Sequence, residues 1–396
     1  MKSISISLAY LLLFVATSVQ SADQLSVESL SLLKDLVNIN SGTQNTKGLE
    51  AVRQKLIPEF KKIGFEAKVL DGANDHKVLV FETPNAKPEL VLMGHMDTVF
   101  STESKFQTFE KKGDHYYGPG IIDMKGGLVL IKDVLASLED KLKSKIRVII
   151  NDDEEIGSPH TRAVYLKLLD GIRGALVFEP ALPGGTLVTS QSGVYWLKLS
   201  VKGKASHAGL EPEKGTSACV ELGHKITQIH ELTDLNRKLL VNPGTLKGGL
   251  KPNVVCENAE TKIDIRFVSE SDLKEALTKI DNIASKVHLS FYNKDVPPTG
   301  KTEFIVKLPS LTSKNTGHLY KLAQSAGTKL GWAVKGQHVG YGSDANRLSS
   351  KNIDLLVGLG PYGQGMHTDE EFLDLKSYGR QKELSLGIIK AYLTKP

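Results

Sequence analysis

The sequence predicts an α/β fold, a mostly parallel mixed sheet flanked by helices, with a smaller α+β lid inserted into it. Short apolar runs alternate with stretches of helical periodicity over residues 23–190 and again over 303–396, as in a sheet covered on both faces. Over residues 191–302 the period changes to apolar–polar alternation, the mark of half-exposed strands. Several apolar runs end in a His or a carboxylate, and ligands of open α/β sheets gather outside the carboxyl ends of the strands.

The chain begins with a short basic start, Met1-Lys2-Ser3, and a largely apolar stretch from Ile4 to Val15. Small residues follow in Val19-Gln20-Ser21-Ala22, so residues 1–22 read as a cleaved secretory signal. The apolar run is short for a membrane span, and no Cys near the cleavage site marks a lipoprotein. Leu30, Leu33, Leu36 and Val37 recur at helical spacing, and Leu49, Val52, Leu56, Phe60 and Ile63 do so again before Gly64. Strands are expected at 77–82, 90–93, 146–151 and 175–179, with a helix over 125–142.

In the insert, Tyr195, Leu197, Leu199 and Val201 alternate with polar or exposed-type residues, as do Ile263, Ile265 and Phe267. Helices through Leu222 and Ile229, and through Leu273 and Ile280, would cover one face of that antiparallel sheet. The polar segment Asn293 to Lys301 reads as the return linker. A helix over 315–329, a strand over 353–357 and a C-terminal helix from Leu373 resume the first domain.

Across 396 residues the formal net charge is +5, without a long basic run, which excludes a nucleic-acid or membrane-surface signature. Two cysteines, Cys219 and Cys256, are too few for a disulfide scaffold or a thiolate zinc site. Spacing does not settle whether they pair. The apolar neighbours of Cys219 in a helix favour buried free thiols.

The chemistry begins at Gly94-His95-Met96-Asp97, where the apolar strand 90–93 stops and presents an imidazole and then a carboxylate. Alone, such a His is more often a structural hydrogen-bonding residue. The arrangement recurs, however. Strand 147–150 runs into Asp152-Asp153-Glu154-Glu155, strand 175–178 into Glu179-Pro180, and strand 353–357 leads to Met366-His367-Thr368-Asp369. A Gly/Pro turn, Tyr117-Gly118-Pro119-Gly120, presents Asp123 ahead of a helix. In isolation the acidic run reads as a solvated loop and Glu179 as a turn residue. Together with His95, Asp123 and His367 they make a nitrogen/oxygen site suited to zinc. The sequence has no G-x-S-x-G elbow, P-loop lysine, H-E-x-x-H helix or complete G-x-G-x-x-G fingerprint.

GHMDTV, YGPGIIDMKGG, DEEIGS, FEP, GKASHAG, KPN, IDIR, GSDAN and MHTDEEF, in this order, resemble the di-zinc metallopeptidases. That family includes bacterial glutamate carboxypeptidase, acetylornithine deacetylase, succinyl-diaminopimelate desuccinylase and the aminoacylases; the phrasing is most similar to the periplasmic glutamate carboxypeptidases. The resemblance spans essentially the whole mature chain. It implies two zinc ions per subunit, replaceable by cobalt, and a lid that also forms a homodimer contact. His95 and Glu179 would bind one zinc, His367 and Glu155 the other, and Asp123 both. Asp97 would orient His95, Glu154 would be the general base, and the peptide bond after Asp123 would be cis. His207 would stabilise the oxyanion, reaching into the partner subunit's site, and Asn253 and Arg266 would bind substrate. Without the resemblance, Arg266 reads as an exposed salt-bridge partner and His207 as a structural loop residue.

The expected activity is therefore exported zinc-dependent hydrolysis of the amide to a C-terminal amino acid, glutamate by preference, in a peptide or N-acyl substrate. An N-acyl amino-acid deacylase or dipeptidase is the alternative. A non-hydrolytic zinc-binding relative has no use for Glu154 beside the metals.

Overall fold

Six consecutive buried residues, Leu90–His95, form a strand in the middle of the main sheet. The computed structural model describes residues 25–289 and 293–394, so the expected secretory segment lies outside the described residues. The strand order in the main sheet is Glu66–Asp71, Lys77–Glu82, Ile146–Asn151, Leu90–His95, Gly174–Val177, Asp354–Val357, Leu187–Gln191 and Gly336–Val339. The four strands from Ile146–Asn151 to Asp354–Val357 run parallel, and antiparallel pairs flank them. Parallel strands send their carboxyl ends to one edge, which is where His95, Glu154 and Glu179 emerge.

Side-chain alternation sorts these strands onto two faces. Leu90, Leu92, Val148, Ile150 and Leu176 join a core with the helices Val27–Val37, Thr46–Lys62, Gly126–Ala136, Ser313–Lys329 and Leu375–Thr394. Val91, Met93, Ile149, Ala175 and Val177 face the other way and pack with Tyr165, Leu169, Ala345 and Leu348. Two-sided burial explains why these strands read as continuous apolar runs.

The helix expected over 125–142 ends at Ala136 and resumes only as a short turn at Asp140–Lys143. Ser137 donates its hydroxyl to the carbonyl of Asp133, a local bond that competes with helix propagation.

The insert is an antiparallel sheet in the order Leu240–Pro243, Asn258–Phe267, Gly193–Lys202, Thr299–Leu308. The helices Ala218–His230 and Glu270–Ser285 pack on it through Leu222, Ile229, Leu273 and Ile280, against Leu197, Leu199, Ile263 and Ile265. The segment read as a return linker runs into the strand Thr299–Leu308, which pairs with Val194–Lys202. The lid sheet therefore continues past residue 302. As an edge strand exposing Phe304 and Ile305, it lacks the burial alternation that betrays an inner strand.

The cysteine reading is corrected: Cys219 and Cys256 form a disulfide, and the described residues contain no free cysteine. Cys219 is the second residue of its helix rather than a mid-helix core position, and its Cα lies 5.7 Å from that of Cys256. Among the described residues no helix is long and apolar enough to cross a membrane.

Candidate metal centre

His95 is the last residue of its strand and is buried. Its Nδ1 lies 3.1 Å from the carbonyl oxygen of Asp97 and 3.3 Å from the Asp97 carboxylate. Donation from Nδ1 fixes the tautomer and leaves Nε2 free to face inward. The Asp97 carboxylate also accepts the hydroxyl of Thr43 at 2.7 Å and the backbone N–H groups of Glu154 and Glu155, each at 3.1 Å. One buried carboxylate thus ties the His95 strand end to the Glu154–Glu155 turn.

Asp123 follows the turn that contains Gly120, whose φ of +69° suits glycine. A Cβ there would also meet the Thr98 side chain. The Asp123–Met124 peptide is cis, as expected. The buried Glu371 holds this turn from across the chain, accepting N–H groups of Gly120, Ile122 and Asp123 at 2.9–3.2 Å. Burial, with the charge of Asp123, pushes Glu371 up to about 8 against those three donors.

Asp123 presents one carboxylate oxygen to each imidazole, 3.2 Å from His95 Nε2 and 3.0 Å from His367 Nε2. Glu179 Oε1 lies 3.7 Å from His95 Nε2, and Glu155 Oε2 3.3 Å from His367 Nε2. His367 has φ of +66°, uncommon for a residue other than glycine. Its side chain is about half exposed, whereas His95, Asp123 and Glu179 are buried. His95, Asp123 and Glu179 form one group whose ligand atoms all lie within 4.8 Å of one another, and Asp123, Glu155 and His367 form a second. Asp123 belongs to both.

The donor set fits two divalent cations: each group offers one imidazole nitrogen and carboxylate oxygens, with one carboxylate shared. A second observation agrees. Glu155 Oε1 is buried with no hydrogen-bond partner, a costly state for a carboxylate oxygen unless a cation or donor occupies the site. The hydrogen bonds between these ligands shift their pKa values in opposite directions. Burial would raise Asp123, but His367 and His95 overcome it and hold Asp123 below the usual range. Burial opposes protonation of His95, and its hydrogen bonds to Asp123, Asp97 and Glu179 outweigh this and raise it. His367, bonded to Asp123 and Glu155, is pushed up to about 10.

Glu154 belongs to neither group. Its carboxylate accepts no hydrogen bond from a described residue, and it lines a cleft of about 690 Å³ with Asp123, Glu155, Glu179 and His367. Burial raises its pKa well above the ordinary value, with Glu179, Asp344 and Glu155 adding to the shift and His95 opposing it. The lid closes the cleft from the other side with Val194, Trp196, Arg266, Val306 and Leu308. Arg266 Nε donates to Asp264 at 3.0 Å, which leaves both Nη groups without a partner among the described residues.

His207 and Asn253 are exposed on the lid and do not line this cleft. They are neighbours, joined by the bond from Ala208 N to Asn253 O at 3.0 Å. His207 Nδ1 accepts the N–H groups of Gly209 and Leu210 at 3.2 and 3.1 Å, so its Nε2 carries the proton.

Three cleft or support residues were given no individual role by the sequence reading, which named Glu371 and Asp344 only within motifs. Glu371 sits in an acidic run that resembles a solvated face, and only the fold reveals its burial. Asp344, in the GSDAN stretch, is buried and accepts Asn151 Nδ2 at 2.7 Å and Tyr165 OH at 2.8 Å. Arg347, one helical turn on, bonds the Gly157 carbonyl and lines the cleft.

Comparison with known proteins agrees with this geometry. Carboxypeptidase G2 from Pseudomonas sp. (strain RS-16) is 30% identical over 376 residues, covering 91% of this chain and 88% of that one. A tripeptidase from Staphylococcus aureus shares the fold with a TM-score of 0.78 at 20% identity, covering 94% of this chain and 100% of the other. So does a Bacillus subtilis protein described as a dinuclear metal binding peptidase, with a TM-score of 0.67 at 17% identity, covering 92% and 98%. The model of peptidase family M20/M25/M40 matches residues 91–391. With that match across most of its length, and a shared aspartate between two ligand groups, this chain belongs to the M20 family of metallopeptidases.

Proposed function

We propose that the protein is an exported zinc carboxypeptidase that releases a C-terminal amino acid, glutamate by preference, from a peptide or N-acyl conjugate. The observation that carries this reading is Arg266 lining the same cleft as Glu154 and both ligand groups, with its Nη groups unengaged. An arginine fork in the cleft suits a substrate carboxylate, which accepts two parallel N–H bonds. Similarity to carboxypeptidase G2 supports the same choice.

His95 and Glu179 would hold one zinc, His367 and Glu155 the other, and Asp123 both. Bound there, zinc supplies Lewis acidity that polarises a carbonyl and acidifies water. Glu154 takes the proton of the attacking water on its free carboxylate oxygen and returns it to the departing amide nitrogen. His207, protonated at Nε2, donates to the developing oxyanion. Exposed and outside the cleft of its own chain, it serves the site of a second copy, so the working unit is a homodimer in which Asn253 also contacts substrate. Export is supported by the N-terminal signal pattern and by the Cys219–Cys256 disulfide, since such bonds persist in oxidising compartments.

A hydrolysis panel tests the reading. Substrates with C-terminal glutamate are expected to exceed neutral and basic counterparts in kcat/KM. The Arg266→Ala variant is expected to lose on the order of 10- to 100-fold in kcat/KM, the worth of charged hydrogen bonds. Equal hydrolysis of substrates lacking the free carboxylate, or an unimpaired Arg266→Ala enzyme, contradicts it.

A further inference from the structure

We infer that the Cys219–Cys256 disulfide is a positioning element for His207 and Asn253, clamping the loop that carries Asn253 against the loop that carries His207. The stretch from Gly244 to Asn253 is exposed at every residue, and Val254, Val255 and Cys256 are only partly buried. Hydrophobic burial therefore contributes little to its placement. Lys247 and Gly248 pair with Glu260 and Ala259 of the strand Asn258–Phe267, and beyond Gly249 the stretch is held by a short series of backbone bonds around the disulfide. Ala208 N donates to Asn253 O and Val255 N to Ser206 O, each at 3.0 Å, while Ala218 N donates to Cys256 O at 2.7 Å. The disulfide locks the last of these to the start of the helix Ala218–His230, which is anchored in the lid core through Leu222 and Ile229.

Residues 250–256 are thus restrained from two ends, by the strand pairing of Lys247–Gly248 and by the disulfide to the helix start, and the disulfide end lies beside the paired segments 206–208 and 253–255. Without the covalent link, two exposed loops rely on a few solvent-accessible backbone bonds, the class that opens most readily. The consequence for catalysis rests on the proposed roles of His207 and Asn253, which must be presented together and in register to a substrate in another subunit's cleft. The disulfide touches no substrate and acts only through those two residues.

The test uses the full chain, zinc-loaded, with Cys219→Ser/Cys256→Ser and the more apolar Cys219→Ala/Cys256→Val as a second cysteine-free form. Amide hydrogen exchange is expected to quicken at Ala208 and Val255 while the strand amides of Leu197 and Ile263 stay protected. Zinc content stays at the wild-type level, and kcat/KM falls on the order of 100-fold, as for a small misplacement of positioning groups. Asn253→Ala, costly in the disulfide-bonded enzyme, adds little on the cysteine-free background, because the pair acts as a unit. Unchanged protection at Ala208 and Val255 in a folded cysteine-free form overturns the positioning role. Lost protection with unchanged kcat/KM overturns instead the substrate roles of His207 and Asn253, and with them the catalytic consequence.

Discussion

In a Glu154→Gln variant, kcat is expected to fall by on the order of 100- to 10,000-fold while both metal positions keep their ions. The two halves of this result have separate causes. Glu154 lies outside both ligand groups, and its place is set by its backbone N–H on Asp97, which the substitution leaves intact. Metal affinity is then unaffected. Gln has the same shape but cannot accept and return a proton, so only the chemical step suffers. Steady-state kinetics and metal analysis on one sample check it. Near-wild-type turnover removes Glu154 as the base, and loss of metal makes it a ligand instead.

An Asp123→Ala variant is expected to fail at an earlier point. Asp123 is the one residue common to both groups, with an oxygen toward each histidine. Removing it leaves each group with one histidine and one glutamate. Metal content should drop from two ions per chain toward one or none, and affinity should fall by more than the roughly 10- to 100-fold typical of losing an outer-shell partner. Activity falls with it. Two tightly held ions in this variant would be incompatible with a bridging carboxylate.

The central strands of the main sheet were legible because strands buried on both faces, such as 90–95 and 146–151, write themselves as apolar runs with a visible end. Much of the ligand groups was legible for the same reason: His95, Glu155 and Glu179 lie at or just past those ends. The strands Glu66–Asp71, Leu187–Gln191 and Gly336–Val339, which carry exposed or half-exposed residues, were not expected. Other features depend on which surface a residue meets, and a sequence does not state that. Glu371 and Asp344 look like surface acids until the fold buries them beside the Asp123 turn and Tyr165. The edge strand Thr299–Leu308 offers no buried face and so resembles a linker. Two cysteines 37 residues apart carry no pairing information by spacing alone. His207 and Asn253 stand out by motif yet lie outside the cleft of their own chain.

The most direct measurement is anomalous diffraction at the zinc absorption edge from crystals of the zinc-loaded protein. Two peaks per chain are expected, one among His95, Asp123 and Glu179 and the other among Asp123, Glu155 and His367, separated by about 3.5–4 Å. A single peak, or zinc bound away from Asp123, contradicts the two-metal centre on which the hydrolytic assignment stands.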